Sequence, residues 1–151
     1  MKITKQDIIK LREETGAGVM EAKNALEETG DFDKAKVILK KKGLEKAAEK
    51  SERTAKQGLV YSYIHGDGKI GVLLELNCET DFVSRGEEFQ TLAKEIAMQI
   101  AAMNPKDVQV LLKQPHIKDE ENTIADLVNG LISKVGENIV IRRFIRYQLG
   151  E

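Results

Sequence analysis

The hydrophobic period changes once along the chain, near residue 57, and this limits the possible folds more than any other feature. Before it, apolar residues recur at the spacing of helices with one buried stripe. From Gly58 they alternate, with Leu59, Tyr61 and Tyr63 on one side and Val60, Ser62 and Ile64 on the other. That is the period of a half-buried strand. Charge balance changes sign at the same place: 14 basic against 11 acidic side chains in residues 1–56, then 10 against 14 in residues 57–151. Two differently built regions are therefore expected within 151 residues.

The first region reads as three short helices. Thr4 and Asp7 stand three apart, as in a capping box, with Ile8 and Leu11 following at helical spacing. The first helix should stop near Thr15, because Gly16-Ala17-Gly18 supplies a residue free to take positive φ. A second helix is expected over residues 19–28, ended by Thr29-Gly30. Asp31 can cap a third over residues 32–42, with Phe32, Ala35, Ile38 and Leu39 inward and Gly43 closing it. Such a bundle is near the lower size limit for folding unaided, and modules of this kind commonly serve as adaptors. On the second helix Val19, Ala22, Ala25 and Leu26 share a face, while Met20 lies roughly opposite, beside Lys23 and Glu27. An outward methionine is adaptable apolar surface for a partner, or simply one of the isolated exposed apolar residues that are common.

Residues 40–56 are rich in lysine, but Glu45, Glu49 and Glu52 interleave as i, i+4 partners and no aromatic residue is available to stack on a base. A solvated helical linker fits better than an RNA contact. The organisation expected is a docking module over residues 1–43, a helical linker over 44–57 and an α/β core over 58–151.

Within the core, Gly66-Asp67-Gly68 is a turn between two strands, giving a β-hairpin. A helix opening at Glu87 or Glu88 carries Phe89, Leu92, Ala93, Ile96, Ile100 and Met103 on one stripe and stops at Asn104-Pro105. A less regular stretch follows. Thr123 with Asp126 caps another helix, bearing Ile124, Leu127, Val128, Leu131 and Val135. Residues 138–149 form a long strand, with Ile139, Ile141, Ile145, Tyr147 and Leu149 alternating against Arg142, Phe144 and Arg146. The expected class is α+β: a three-stranded, mostly antiparallel sheet packed with helices.

Composition narrows the function. The formal net charge is −1, which argues against bulk capture of nucleic acid or anionic membrane. Cys78 is the only cysteine, so neither a disulfide framework nor an all-cysteine zinc site can form within the chain. His65 and His116 show no metal-ligand spacing. No apolar run reaches about 18 residues, and Met1-Lys2-Ile3-Thr4 does not begin a signal-peptide core. A soluble intracellular protein is expected, with no catalytic residues, no cofactor and no metal.

Thr80, Asp81, Phe82 and Val83 lie between the second strand and the long helix. Spacing alone favours Phe82 as a staple packing onto the helix start, with Asp81 as a helix cap. Cys78 has no nearby histidine and reads as a small buried apolar residue. The competing reading gives the pair a task, since an acid can compete for a metal ion's water shell while a ring wedges into an apolar slot.

Three stretches carry a resemblance. Lys10-Leu11-Arg12-Glu13-Glu14-Thr15-Gly16-Ala17-Gly18-Val19-Met20 resembles the opening of the elongation factor Ts family. Asn77-Cys78-Glu79-Thr80-Asp81-Phe82-Val83 resembles its signature, and residues 134–143, Lys-Val-Gly-Glu-Asn-Ile-Val-Ile-Arg-Arg, resemble its C-terminal strand entry. The resemblance implies a cytoplasmic guanine-nucleotide exchange factor for elongation factor Tu, the GTPase that delivers aminoacyl-tRNA. It implies a front module similar to ubiquitin-associated domains that docks on the GTPase, with Arg12 and Met20 as contacts. It also implies that Asp81 and Phe82, within Thr80, Asp81, Phe82 and Val83, intrude near the partner's Mg²⁺ and disturb the phosphate-cradling loop.

Many members carry a longer central segment between the equivalents of Asn104-Pro105 and Gln114-Pro115, where this chain has only residues 106–113. Short forms with one α/β unit are expected to pair as homodimers through the sheet. With no cysteine among residues 144–146, an interchain disulfide there is excluded. Two other classes compete: a non-catalytic adaptor, and a small RNA-binding protein using residues 40–42 with Arg142, Arg143 and Arg146. Near-neutral charge and the lack of interleaved aromatics count against the latter. An adaptor has no use for the acid–aromatic pair.

Overall fold

The capping box foreseen at the start of the chain is what opens the first helix, α1 (Lys5–Thr15). Thr4 N–H donates to Asp7 Oδ2 at 2.9 Å, and Asp7 N–H donates to Thr4 Oγ1 at 3.2 Å. The computed structural model describes residues 2–151, and these divide into two units, residues 2–52 with 129–137, and residues 53–128 with 138–151.

In the first unit α1, α2 (Val19–Thr29) and α3 (Phe32–Lys50) surround a core of Leu11, Ala17, Ala22, Ala25, Leu26, Ala35 and Leu39. Ile3, Ile8 and Phe32 pack against its margin. Alanine supplies four of those seven positions, so the helices approach closely and bury little area for each residue ordered. Gly16 ends α1 at φ 72°, and a Cβ there would sit 2.1 Å from the carbonyl oxygen of Gly130. Only glycine meets both demands.

Two expectations fail in this unit. Gly43 does not close the third helix, which runs on to Lys50. One interior glycine costs only about 1 kcal/mol, and the helix formers that follow outweigh it. Lys46, in the extension, donates to both carboxylate oxygens of Glu21 at 2.7 and 2.9 Å, fastening it to α2. The second is Val19, which does not share the buried face of Ala22, Ala25 and Leu26. It is 49% exposed, because the first residue of α2 lies beyond the packed turn.

The second unit is built on a three-stranded antiparallel sheet of order β1 (Gln57–His65), β2 (Ile70–Cys78) and β5 (Val140–Gln148). Helices are α4 (Asp81–Ser84), α5 (Glu87–Met103), α6 (Val108–Lys113) and α7 (Ile124–Val135), the last ending among residues of the first unit. Val72, Leu74 and Leu76 alternate along β2 as the buried face, and α5 packs on the hairpin. Its Phe89, Leu92, Ala93, Ile96, Ala97 and Ile100 are buried. α5 stops as expected, with Asn104 in the left-handed region at φ 46°.

The alternation expected along the last strand is broken by a β-bulge. Glu75 pairs with Arg143, but Leu76 pairs with Ile141, so Arg142 is the extra residue. Ile141 therefore joins Phe144 and Arg146 on the face of Leu76, Leu74 and Val72, and only Ile145 and Tyr147 stay opposite. One inserted residue reverses the facing of everything beyond it.

The irregular stretch after α5 holds α6 and a small ribbon, β3 (Pro115–His116) with β4 (Asp119–Thr123). Gln99, fully buried on α5, clamps the ribbon. Its amide donates to Gln114 Oε1 and the Pro115 carbonyl, and its oxygen accepts from Ile117 N–H at 2.9 Å.

Candidate partner-binding site

The segment after β2 forms a single helical turn, α4. Thr80, not Asp81, is its N-cap, and the Thr80 hydroxyl accepts from Val83 N–H at 3.4 Å. Asp81 occupies the first turn, where a carboxylate suits the unpaired N–H groups. Its carboxylate lies 3.1 Å from the Arg85 guanidinium, an exposed pair that contributes little stability. The Ser84 hydroxyl donates to the Asp81 carbonyl at 3.0 Å, and Ser84 is buried beneath the turn. Cys78 is buried as expected, its thiol donating to the Thr80 carbonyl at 3.0 Å.

Phe82 is 85% exposed. The staple reading is therefore wrong: Gly86 caps α5 and Phe82 is left exposed. A one-turn helix places consecutive residues about 100° apart. With Val83 half-buried and Ser84 buried below, Asp81 and Phe82 face outward. Burying a phenylalanine side chain is worth about 1.5–3 kcal/mol, and this fold leaves that gain unused.

Polar groups on the segments next to the turn are hydrogen-bonded, and of these Asn77 and Asn138 are buried. The Asn77 amide donates to the Gln57 carbonyl at 3.1 Å and accepts from the bulged Arg142 at 3.0 Å. Arg142 also donates to the Ala55 carbonyl at 3.3 Å. Glu79 accepts from Asn138 N–H at 2.7 Å and pairs with Arg53 at 3.5 Å, while the Asn138 amide donates to the Arg53 carbonyl at 2.9 Å. A hydrogen bond from Asn77 and a second from Arg143 hold the Glu75 carboxyl below its ordinary range.

In the helical unit Met20 is 62% exposed beside Val19, so an apolar pair opens α2. Arg12 is half-buried, its guanidinium donating to the Ala17 carbonyl at 3.4 Å, which ties it to the turn before α2. Met20 is thus presented outward, and Arg12 lies against the loop that leads to it. The arginines of an RNA reading are otherwise engaged: Arg142 as above, Arg143 with Glu75 at 2.9 Å, and Arg146 on the Ala101 carbonyl at 3.1–3.2 Å.

Sequence reasoning missed Glu79, Asn138 and Gln99, and also His116. That histidine is buried with Nε2 3.0 Å from Glu95, whose other oxygen accepts from Lys118 at 3.0 Å. No periodicity marks such residues, because their partners are distant in sequence. Among the described residues no group of three or more His, Cys, Asp or Glu could hold a metal ion, and no helix is long and apolar enough to cross a membrane.

Met20 and Phe82 are exposed apolar side chains near the starts of capped helices, surface on which another macromolecule can dock. Comparison with known proteins gives the family. Residues 79–151 match the family model described as elongation factor TS. The chain is 44% identical to elongation factor Ts of Coprothermobacter proteolyticus, over the whole of both chains. It is 46% identical to that of Thermodesulfovibrio yellowstonii, covering 100% of this chain and 98% of the relative. This chain belongs to the elongation factor Ts family. Those alignments run over 197 and 196 positions against 151 residues here, so both relatives carry residues without a counterpart in it.

Proposed function

We propose that this protein is a guanine-nucleotide exchange factor for elongation factor Tu, acting in the cytoplasm during translation elongation. The observation that carries the reading is the outward Phe82 beside Asp81, at the head of the segment that matches the family. GDP in a GTPase is held largely by Mg²⁺ and by backbone N–H groups around its phosphates. The Phe82 ring enters an apolar slot of the partner near that site, and the Asp81 carboxylate competes there for the ion's surroundings. Thr80 caps the turn, and Val83 anchors it on the side away from the partner. Arg12 and Met20 dock the helical module on the nucleotide-binding domain.

Binding that is compatible with a distorted pocket but not with Mg²⁺–GDP favours release, and by reciprocity GDP weakens factor binding. Tenfold acceleration needs about 1.4 kcal/mol of differential stabilisation in the transition state for dissociation. No bond is made or broken, so the protein catalyses exchange without covalent chemistry. Stopped-flow release of a fluorescent GDP analogue from elongation factor Tu tests this. Acceleration is expected, and an unchanged rate removes the reading.

The sheet face opposite α5 exposes Ile64, Leu73, Ile145 and Tyr147 across three strands, with Val60 set apart beyond Ser62 and beside the Glu75–Arg143 pair. Faces of this kind mark association. A second copy of the chain covers it, forming a homodimer that supplies the other α/β unit. Light scattering at micromolar concentration should give twice the monomer mass of 16.9 kDa; a monomer overturns the pairing.

A further inference from the structure

The bonds inside α4 set the shape of the turn but not its direction relative to the sheet. Direction has to come from groups that join the turn to elements distant in sequence. Glu79, the residue just before the cap, is where such groups converge. Its carboxylate accepts from Asn138 N–H at 2.7 Å, a short charge-assisted bond across 59 positions, and lies 3.5 Å from Arg53. Asn138 is itself buried, and its amide donates to the Arg53 carbonyl at 2.9 Å. The Glu79 carboxylate is thus tied to the residue that leads into β5 and to the segment that leads into β1, with only 22% of its side chain exposed.

We propose that Glu79 is a positioning residue for exchange: its bond to Asn138 N–H fixes the direction in which α4 presents Phe82 and Asp81. The inference rests on the exchange reading for its functional consequence. Glu79 does not touch the GTPase. It acts by holding the Phe82 ring where it enters the partner already oriented, so that no ordering of the turn is needed at the transition state for release. Small misplacements of a functional group can cost as much as 100-fold in rate, roughly. Arg53 contributes less, because its ion pair is half-exposed and loose in geometry.

Two measurements on the full chain test this. The sequence contains no tryptophan, so a Phe82→Trp variant carries a single reporter whose time-resolved fluorescence anisotropy reads the mobility of the turn without any partner. Adding Glu79→Ala should increase the fast depolarisation of that tryptophan. Glu79→Gln keeps an oxygen acceptor for Asn138 N–H and should restore the slow decay. With Phe82 intact, stopped-flow release of the GDP analogue is measured against factor concentration. Glu79→Ala should lower the maximal rate about tenfold and move the half-saturating concentration less than about twofold, with Glu79→Gln within about threefold of wild type.

Unchanged anisotropy in Glu79→Ala overturns the proposal, as does a half-saturating concentration that rises while the maximal rate holds. A Glu79→Gln variant as impaired as Glu79→Ala in both measurements also overturns it. If Glu79→Ala does not fold, Glu79→Asp, which keeps the charge but withdraws it from Asn138, must show the same loss. Failure of the wild type to accelerate release removes the exchange reading alone, because the anisotropy arm still decides whether Glu79 orients the turn.

Discussion

Removing the Phe82 ring separates folding from function more cleanly than any other change in this protein. Phe82 is 85% exposed. Phe82→Ala should therefore change unfolding free energy by no more than about 0.5 kcal/mol, the usual range for surface substitutions. In a complex the same ring has its whole burial free energy to gain, and an aromatic anchor at an interface centre is typically worth about 2 kcal/mol or more. If that much is realised in the transition state for GDP release, the variant should stimulate release about 30-fold less than wild type. The assay is stopped-flow release of the fluorescent GDP analogue, paired with thermal unfolding of the same preparation. Asp81→Ala should show a smaller loss, since its carboxylate is exposed and paired with Arg85. A midpoint lowered by about 4 °C or more would show that the ring packs inside the fold. Stimulation equal to wild type would show that it meets no partner. Either result refutes the reasoning.

The helical unit gives three further tests. Met20→Glu should weaken complex formation, measured by titration calorimetry, without lowering the unfolding midpoint, and unchanged affinity would exclude Met20 from the interface. Gly16→Ala should destabilise more than Gly30→Ala in denaturant titrations. Both glycines have positive φ, which costs alanine about 1–2 kcal/mol, but only at Gly16 does the new Cβ also meet a carbonyl oxygen at 2.1 Å; equal losses would disprove the close approach. Hydrogen bonds from Lys46 and, less strongly, from Gly18 N–H hold the Glu21 carboxyl below its ordinary value of 4.5. A lowered folded pKa means the stabilisation is complete above pH 4.5 and is lost as pH falls through the lower folded value. The unfolding midpoint should therefore drop on acidification below 4.5, and Glu21→Gln should shrink that drop; an equal drop in both proteins would assign it elsewhere.

Much of this molecule is local, and local order is legible in a sequence. The Thr4–Asp7 box, the Asp31 cap, the positive-φ glycines at 16 and 30 and the Asn104-Pro105 stop act within a few residues of themselves. The hairpin follows equally directly, because period-two alternation and a glycine turn leave little else for residues 57–78. Residue types also told the family, since a signature is a string and needs no coordinates. The sequence by itself thus determined the main helices, the hairpin and the last strand, their order, and the motif around which the candidate site is built, but not α4, α6 or the β3–β4 ribbon.

Tertiary structure decided the directions. Alternation placed Ile141 with Ile145, but one bulged residue, held by Asn77 and the Ala55 carbonyl, put them on opposite faces. Spacing allowed Phe82 to lie on the helix start, yet Thr80 took the cap and Ser84 the buried position, which turned the ring to solvent. Gly43 looked like a stop until Lys46 found Glu21, 25 positions away. Glu79 entered only as part of the family signature and nothing singled out Gln99, and only the chain's return from positions 18 to 59 residues distant made them anchors. Facing and burial depend on partners that loop closure brings together, and the free energy of those pairings is written in neither residue alone.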